Sequence, residues 1–165
     1  MIELKPIKHN NWMECIGLEV HDDQKGFVNP NIFFLAEAYA HSDANKDDAE
    51  KYYRCIPMAI YNDDKMVGFV DLTFENECDF DDTPGYEIYG LMIAKDYQKN
   101  GYGKEAVEKA IDYIKTFPYG KAEYVYTSWH PDNSASEKTF TSCGFCVVGT
   151  DEDDGAIRAR LCLKN

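Results

Sequence analysis

The 165-residue chain has no apolar run near the roughly 18 residues that would span a bilayer, and its N-terminal MIELKPIKHN lacks the apolar centre of a signal peptide. A membrane partner is therefore not expected, and a cytoplasmic location is. Positive charge is also scarce, with 17 Lys and Arg against 30 Asp and Glu, a net charge of −13. Phosphate backbones repel such a chain, which argues against nucleic acid, while amines and other cations are attracted. No repeat or low-complexity linker divides the sequence, so one domain over residues 1–165 is expected. What is plentiful is core material: 44% of residues are hydrophobic and 14% aromatic, enough for a packed globule despite the charge.

Six cysteines are present, Cys15, Cys55, Cys78, Cys143, Cys146 and Cys162, and without a secretory signal reduced thiols are the default. Cys143 and Cys146 form one CxxC. It closes a helical segment rather than opening one after a strand, and there is no second CxxC to complete a zinc site. The histidines His9, His21, His41 and His130 have no ligand spacing. The expectation is no metal, with a redox or zinc module at Cys143 and Cys146 as the competing reading.

Along the chain, Ile2 to Ile7 reads as a strand and Trp12 to Val20 as a helix. Pro30 and Asn31 then open a second helix whose apolar face is Ile32, Leu35, Ala36 and Tyr39. A polar stretch follows from Asp43 to Glu50. Met58 to Tyr61 and Met66 to Phe74 flank the turn residues Asn62 to Lys65 as a hairpin, and Tyr86 to Ala94 reads as a buried central strand. The next helix is amphipathic, with Ala106, Val107, Ala110, Ile111 and Ile114 on one face. A strand over Glu123 to Trp129 precedes a shorter helix, capped by Asp132 or Asn133 and closed by Gly144. Two strands around the acidic turn Asp151 to Gly155 end the chain. Strands and helices intermixed in this order, with a long hairpin, predict a mixed α/β sheet covered by helices rather than a purely parallel one.

The segment LMIAKDYQKNGYGKEAV carries the chemistry. A strand runs into Gln98, Lys99, Asn100, Gly101, Tyr102 and Gly103, and a helix follows, which makes an anion cradle. The glycines admit close backbone approach, and the helix N-terminus adds partial positive charge. Lys99 and Lys104 add full charge. GxxxxGK[ST] is absent and GxGxxG would need glycine at Ala106, so neither a Walker A loop nor a dinucleotide fingerprint is present.

Gln98, Gly101 and Gly103 resemble the acetyl-coenzyme A signature Q/R-x-x-G-x-G/A of the GNAT N-acetyltransferases. That family's N-x-x-A-x-x-x-Y-x-x-x-G-F pattern is answered by Asn133, Ser136, Phe140, Gly144 and Phe145. Within the family, FVNPNIFFLAEAY and YGLMIAKDYQKNGYG look like the spermine/spermidine, or diamine, acetyltransferase subgroup. The resemblance implies the acyl-CoA N-acyltransferase fold, a central mixed and mostly antiparallel sheet flanked by helices. It also implies acetyl-CoA as co-substrate and a small primary amine, a polyamine such as spermidine or spermine, as acceptor, attacked directly in a ternary complex. The backbone at Leu91, Met92 and Ile93 would then pair with the pantetheine arm. Gln98, Lys99, Asn100, Gly101, Tyr102, Gly103 and Lys104 would hold the pyrophosphate, and Asn133, Ser136 and Phe140 would contact the cofactor from the other side. Glu37, Tyr39, Glu87 and Tyr89 would face the acceptor, and many relatives form homodimers.

An alkylammonium of pKa about 10.4 is rarely unprotonated at neutral pH, so a base is useful. Glu87 is the candidate, sharing a face with Tyr89, Leu91 and Ile93 by two-residue alternation. The alternative is an exposed or lysine-paired glutamate at the strand's start. The family's general-acid tyrosine is replaced by Phe140, so the leaving thiolate would take its proton from Tyr126, from Cys143 or from water. Glu75, Glu77, Asp79, Asp81 and Asp82 form either a polycation funnel or a merely solvated loop. Competing functions are acetylation of a protein N-terminus, a lysine or an aminoglycoside, and a catalytically weak acyl-CoA-binding module.

Overall fold

The computed structural model describes residues 1–42, 53–76 and 83–163. The polar stretch from Asp43 to Glu50 lies outside these residues, as do Cys78 and the acidic positions Glu77, Asp79, Asp81 and Asp82. Seven strands form one sheet in the order β1-β2-β3-β4-β5-β7-β6. They are β1 (Ile2–Pro6), β2 (Tyr53–Asn62), β3 (Lys65–Glu75), β4 (Gly85–Ile93), β5 (Tyr124–Trp129), β6 (Cys146–Thr150) and β7 (Ile157–Cys162). Every neighbouring pair is antiparallel except β4 and β5, which run parallel. The expected mixed, mostly antiparallel sheet is therefore present. The helices are α1 (Trp12–Ile16), α2 (Asn31–Ala40), α3 (Tyr102–Ile114) and α4 (Ser134–Ser142), and no helix of the described residues is long and apolar enough to cross a membrane.

The sheet is covered on both faces, which explains why β3 is buried from Met66 to Phe74 and reads as a nearly continuous apolar run. On one face Val70, Leu72, Tyr86 and Ile88 pack with Ala106, Val107, Ala110, Ile111 and Ile114 of α3. The five apolar positions of the sequence-predicted helix are thus the five buried ones. On the other face Cys15 of α1 and Phe34 of α2 cover Ala59, Phe69 and Met92.

Two helices differ from expectation. The first ends at Ile16, with Gly17 as its C-cap. Glycine is a weak helix former, and the chain beyond it leaves the helix to bond the end of β4, with Lys95 N–H donating to the Glu19 carbonyl at 2.9 Å. The second helix has the expected span but presents a different face. Ile32 and Tyr39 are 51% and 72% exposed, whereas Asn31 and Phe34 are buried. The Asn31 amide donates to the Cys15 carbonyl at 2.8 Å, and the Phe34 ring fills the space over Gly90, where an added Cβ would come within 2.6 Å of it.

Candidate active site

The centre of the molecule is a parting of strands. β4 and β5 are paired only at Tyr86 with Val125 and Glu87 with Tyr126. At the fork the Thr127 hydroxyl donates to the Ile88 carbonyl at 3.1 Å. Beyond it, β5 continues along β7, and β4 continues along β3 as far as Ile93. Among the described residues, Leu91, Met92 and Ile93 therefore have a strand on one edge only. Apart from the Ile93 carbonyl, which accepts from Gln98, their other edge offers backbone groups to an extended ligand, the same capacity that lets a strand edge accept another strand.

The loop after β4 ends at the same opening. Lys99 and Gly101 both have left-handed backbone, with φ of 64° and 82°, and the Asn100 amide braces the turn by donating to the Tyr97 and Gln98 carbonyls at 3.0 and 3.1 Å. Gly101 is the N-cap of α3 and supplies no side-chain cap. The first helical bond runs from Glu105 N–H to the Gly101 carbonyl at 3.2 Å. The N–H groups of Tyr102, Gly103 and Lys104 thus precede the ladder and have no intrahelical acceptor. The space a Cβ would fill at Gly101 is open for 4 Å around. Uncapped N–H groups, a helix N-terminus and open approach suit a phosphate-bearing ligand such as the pyrophosphate of coenzyme A.

Several expected cofactor residues also make contacts within the protein. The Gln98 amide donates to the Ile93 carbonyl at 2.9 Å and to Gln24 at 2.7 Å, so it ties the loop to β4 and to the segment before α2. The Tyr102 hydroxyl accepts from Asn62 at 3.1 Å. Lys104 is exposed and ion-paired with Glu108 at 3.8 Å. Asn133 caps α4, its side chain accepting from Ser136 N–H at 3.1 Å. Phe140 is 3% exposed, stacked on Trp129 at 5.8 Å and edge-on to Phe145 at 5.3 Å, so its ring belongs to the core. The Phe27 and His130 rings lie 5.5 Å apart, centre to centre. Cys143 ends α4 with its thiol pushed up by burial.

The acceptor-side residues are organised by an irregularity that alternation does not reveal. Asp71 faces Gly90 and Leu72 faces Ile88, so Tyr89 is an extra residue, a β-bulge. The bulge reverses the side-chain alternation. Leu91 and Ile93 pack on the α3 side together with Tyr86 and Ile88, and they do not share a face with Glu87, contrary to the two-residue reading. Tyr89 points to the α2 side, edge-on to Phe34 at 5.7 Å. Tyr126, 1% exposed, is the register partner of Glu87 across β4 and β5. Tyr39 points to solvent.

Two residues that sequence reasoning did not single out complete this face. Asp71, 0% exposed, lies with Glu37 and Cys55 in a cluster whose carboxylate oxygens and Sγ are all within 4.8 Å of one another. Burial, and then the charges of Glu37 and Glu87, push the Asp71 carboxyl up to about 8. Burial raises Glu37 as well, and it pushes the Cys55 thiol up to about 12, with Asp71 and Glu37 adding to the shift. The available sequence signal was the lone acid in the apolar run KMVGFVDLTF.

These features agree with what the chain is similar to. A family model described as the Acetyltransferase (GNAT) family matches residues 27–145, while comparison with curated protein sequences gives no match. Among solved structures, the chain resembles spermidine N-acetyltransferase from Vibrio cholerae in complex with CoA and spermine. The identity there is 14%, coverage is 98% of this chain and 95% of that one, and the TM-score is 0.67. It resembles an aminoglycoside acetyltransferase in complex with coenzyme A at 13% identity, with 99% and 95% coverage and a TM-score of 0.72. The ribosomal-protein-S18-alanine N-acetyltransferase from Escherichia coli matches at 16% identity, with 100% and 96% coverage and a TM-score of 0.63. The solved structures share the fold, and the family model spans the fork, the glycine loop and α4: the chain belongs to the GNAT family and is an acetyl-CoA-dependent N-acetyltransferase.

Proposed function

We propose that the protein acetylates a primary amine of a small cationic acceptor, with polyamines such as spermidine and spermine as the acceptor class, in the cytoplasm. The observation that carries this reading is the gathering of Asp71, Glu37 and Glu87 on the α2 side of β4, where their charges act on one another and on Tyr89. In a chain of net charge −13, that arrangement attracts and orients ammonium groups. The likeness to a spermidine acetyltransferase with bound spermine supports it.

Acetyl-CoA supplies an acetyl group already activated as a thioester. The open edge at Leu91 to Ile93 and the N–H groups at the start of α3 would hold the donor, while the acidic face would orient the amine. Placing two bound reactants is most of what such a transfer requires. Glu87 would take the ammonium proton, directly or through water, and Tyr126 beside it would return one to the leaving thiolate.

A second reading, a module that binds acyl-CoA with little turnover, draws on Phe140, whose ring is committed to the core and has no proton to give.

Free-thiol release from acetyl-CoA tests both readings, with spermidine, spermine, a diamine, an aminoglycoside and a short peptide supplied in turn. A polyamine should drive release, and Glu87→Gln should slow it about 100-fold, the low end of general-base effects. If acetyl-CoA binds and no amine releases thiol, the module reading takes its place.

A further inference from the structure

Beneath α2, three side chains from three elements converge. Glu37 descends from the helix, and Cys55 and Asp71 rise from adjacent strands. Asp71 is opposite Pro57 and Cys55 opposite Thr73, so Cys55 and Asp71 stand diagonally on one face. Neither oxygen of Asp71 has a hydrogen-bond partner, and Glu37 Oε2 has none either. Buried carboxylate oxygens are nearly always satisfied, and among the described residues none donates to these. Pro57 has no N–H, and the thiol of Cys55 is a weak donor. Among the described residues no positively charged donor bonds these oxygens.

We propose that this cluster forms a pocket for an alkylammonium group, the non-reacting ammonium of a polyamine acceptor. An ammonium has three donors. Acceptors held at about 2.8 Å from its nitrogen in tetrahedral directions stand about 4.6 Å apart, which suits atoms within 4.8 Å of one another. The walls fit the rest of the ligand, because the phenols of Tyr53 and Tyr89 both sense the charges of Glu37 and Asp71, and Phe34 abuts Tyr89. Aromatic rings beside carboxylates accommodate methylene chains and cations together. Asp71 is opposite Gly90, one strand spacing of about 4.8 Å from β4, so the pocket is next to the strand that borders the cleft. A spacer of about three or four methylenes would place the other amine there. A zinc ion would need Cys55 as thiolate, whereas burial and the neighbouring carboxyls push that thiol up. The pocket's assignment to a polyamine rests on the proposed acceptor reading.

Steady-state acetylation of spermidine and of n-butylamine, with wild type, Asp71→Asn and Glu37→Gln, tests the pocket, and calorimetric titration with spermidine runs alongside. Either variant should raise the spermidine KM about 10- to 100-fold, the effect of a lost charge-assisted bond, and should raise it more than the KM for n-butylamine, which has no second ammonium. Glu37→Gln, on the half-buried helix position, keeps the test available if Asp71→Asn misfolds. A spermidine KM within twofold of wild type in a folded variant overturns the proposal. So does stoichiometric zinc binding that spermidine does not displace. If no amine is acetylated but spermidine binds wild type and not the variants, the pocket stands and the acetylation reading fails.

Discussion

Replacing Asp71 by asparagine should change how the stability of the amine-free protein depends on pH. The carboxyl is fully buried and is raised from 3.8 to about 8. Between those values the native protein keeps a proton that the unfolded chain has released. Stability is therefore full below about pH 4, falls as pH rises towards 8, and levels off above it. At about 1.36 kcal/mol per pH unit, the loss between pH 5 and 8 is about 4 kcal/mol, a large share of the 5–15 kcal/mol that holds a typical domain. The groups facing Asp71 are Glu37 from α2, Tyr53 and Cys55 from β2, and Glu87 and Tyr89 from β4, and His41, the C-cap of α2, lies beside Glu37. Glu37, also raised by burial, contributes a smaller slope of the same sign. Urea unfolding at pH 5, 6, 7 and 8 measures the effect through the midpoint at constant m. The wild-type midpoint should fall across the series, and that of Asp71→Asn should stay nearly level. A flat wild-type profile, or an equal slope in the variant, refutes the argument that Asp71 is a protonated carboxyl in an uncompensated site.

The two glycines of the loop should respond differently to alanine. Gly101 has φ of 82°, so Gly101→Ala should cost about 1–2 kcal/mol in backbone strain. At Gly103 an added Cβ would meet Ile93 and Thr139 only at ordinary contact, 3.8 and 3.9 Å, and Gly103→Ala should stay within about 0.5 kcal/mol of wild type; thermal denaturation of the pair checks the order. Gln98→Ala removes the bonds to Gln24 and the Ile93 carbonyl. It should lower stability by about 1–3 kcal/mol and raise the acetyl-CoA KM only through a loosened loop. A raised KM with unchanged stability would show that the side chain reaches the cofactor itself.

The order of seven strands and four helices was legible because each element carries its own period. The 3.6-residue stripe of Ala106, Val107, Ala110, Ile111 and Ile114 is the buried face of α3, and the glycine loop lies, as its sequence suggested, between the central strand and that helix. What was not legible depends on residues far apart in the chain. NIFFLAEAYA is apolar nearly all round, so no stripe selects its inner face; the bond from Asn31 to Cys15 and the gap over Gly90 select it instead. The bulge at Tyr89 exists only relative to β3, since an extra residue is counted against a partner strand, and it turns Leu91 and Ile93 away from Glu87. Asp71 was visible as one acid in an apolar strand, a pattern that fits a buried ion pair, a protonated carboxyl or a ligand site equally well. Only the folded chain separates these possibilities. It brings a second carboxylate, Glu37, over the first and brings no lysine or arginine to within salt-bridge distance of Asp71 among the described residues. Two acids that no lysine or arginine of the described residues neutralises, in a family that acts on amines, make a site whose charge and acceptors suit an ammonium.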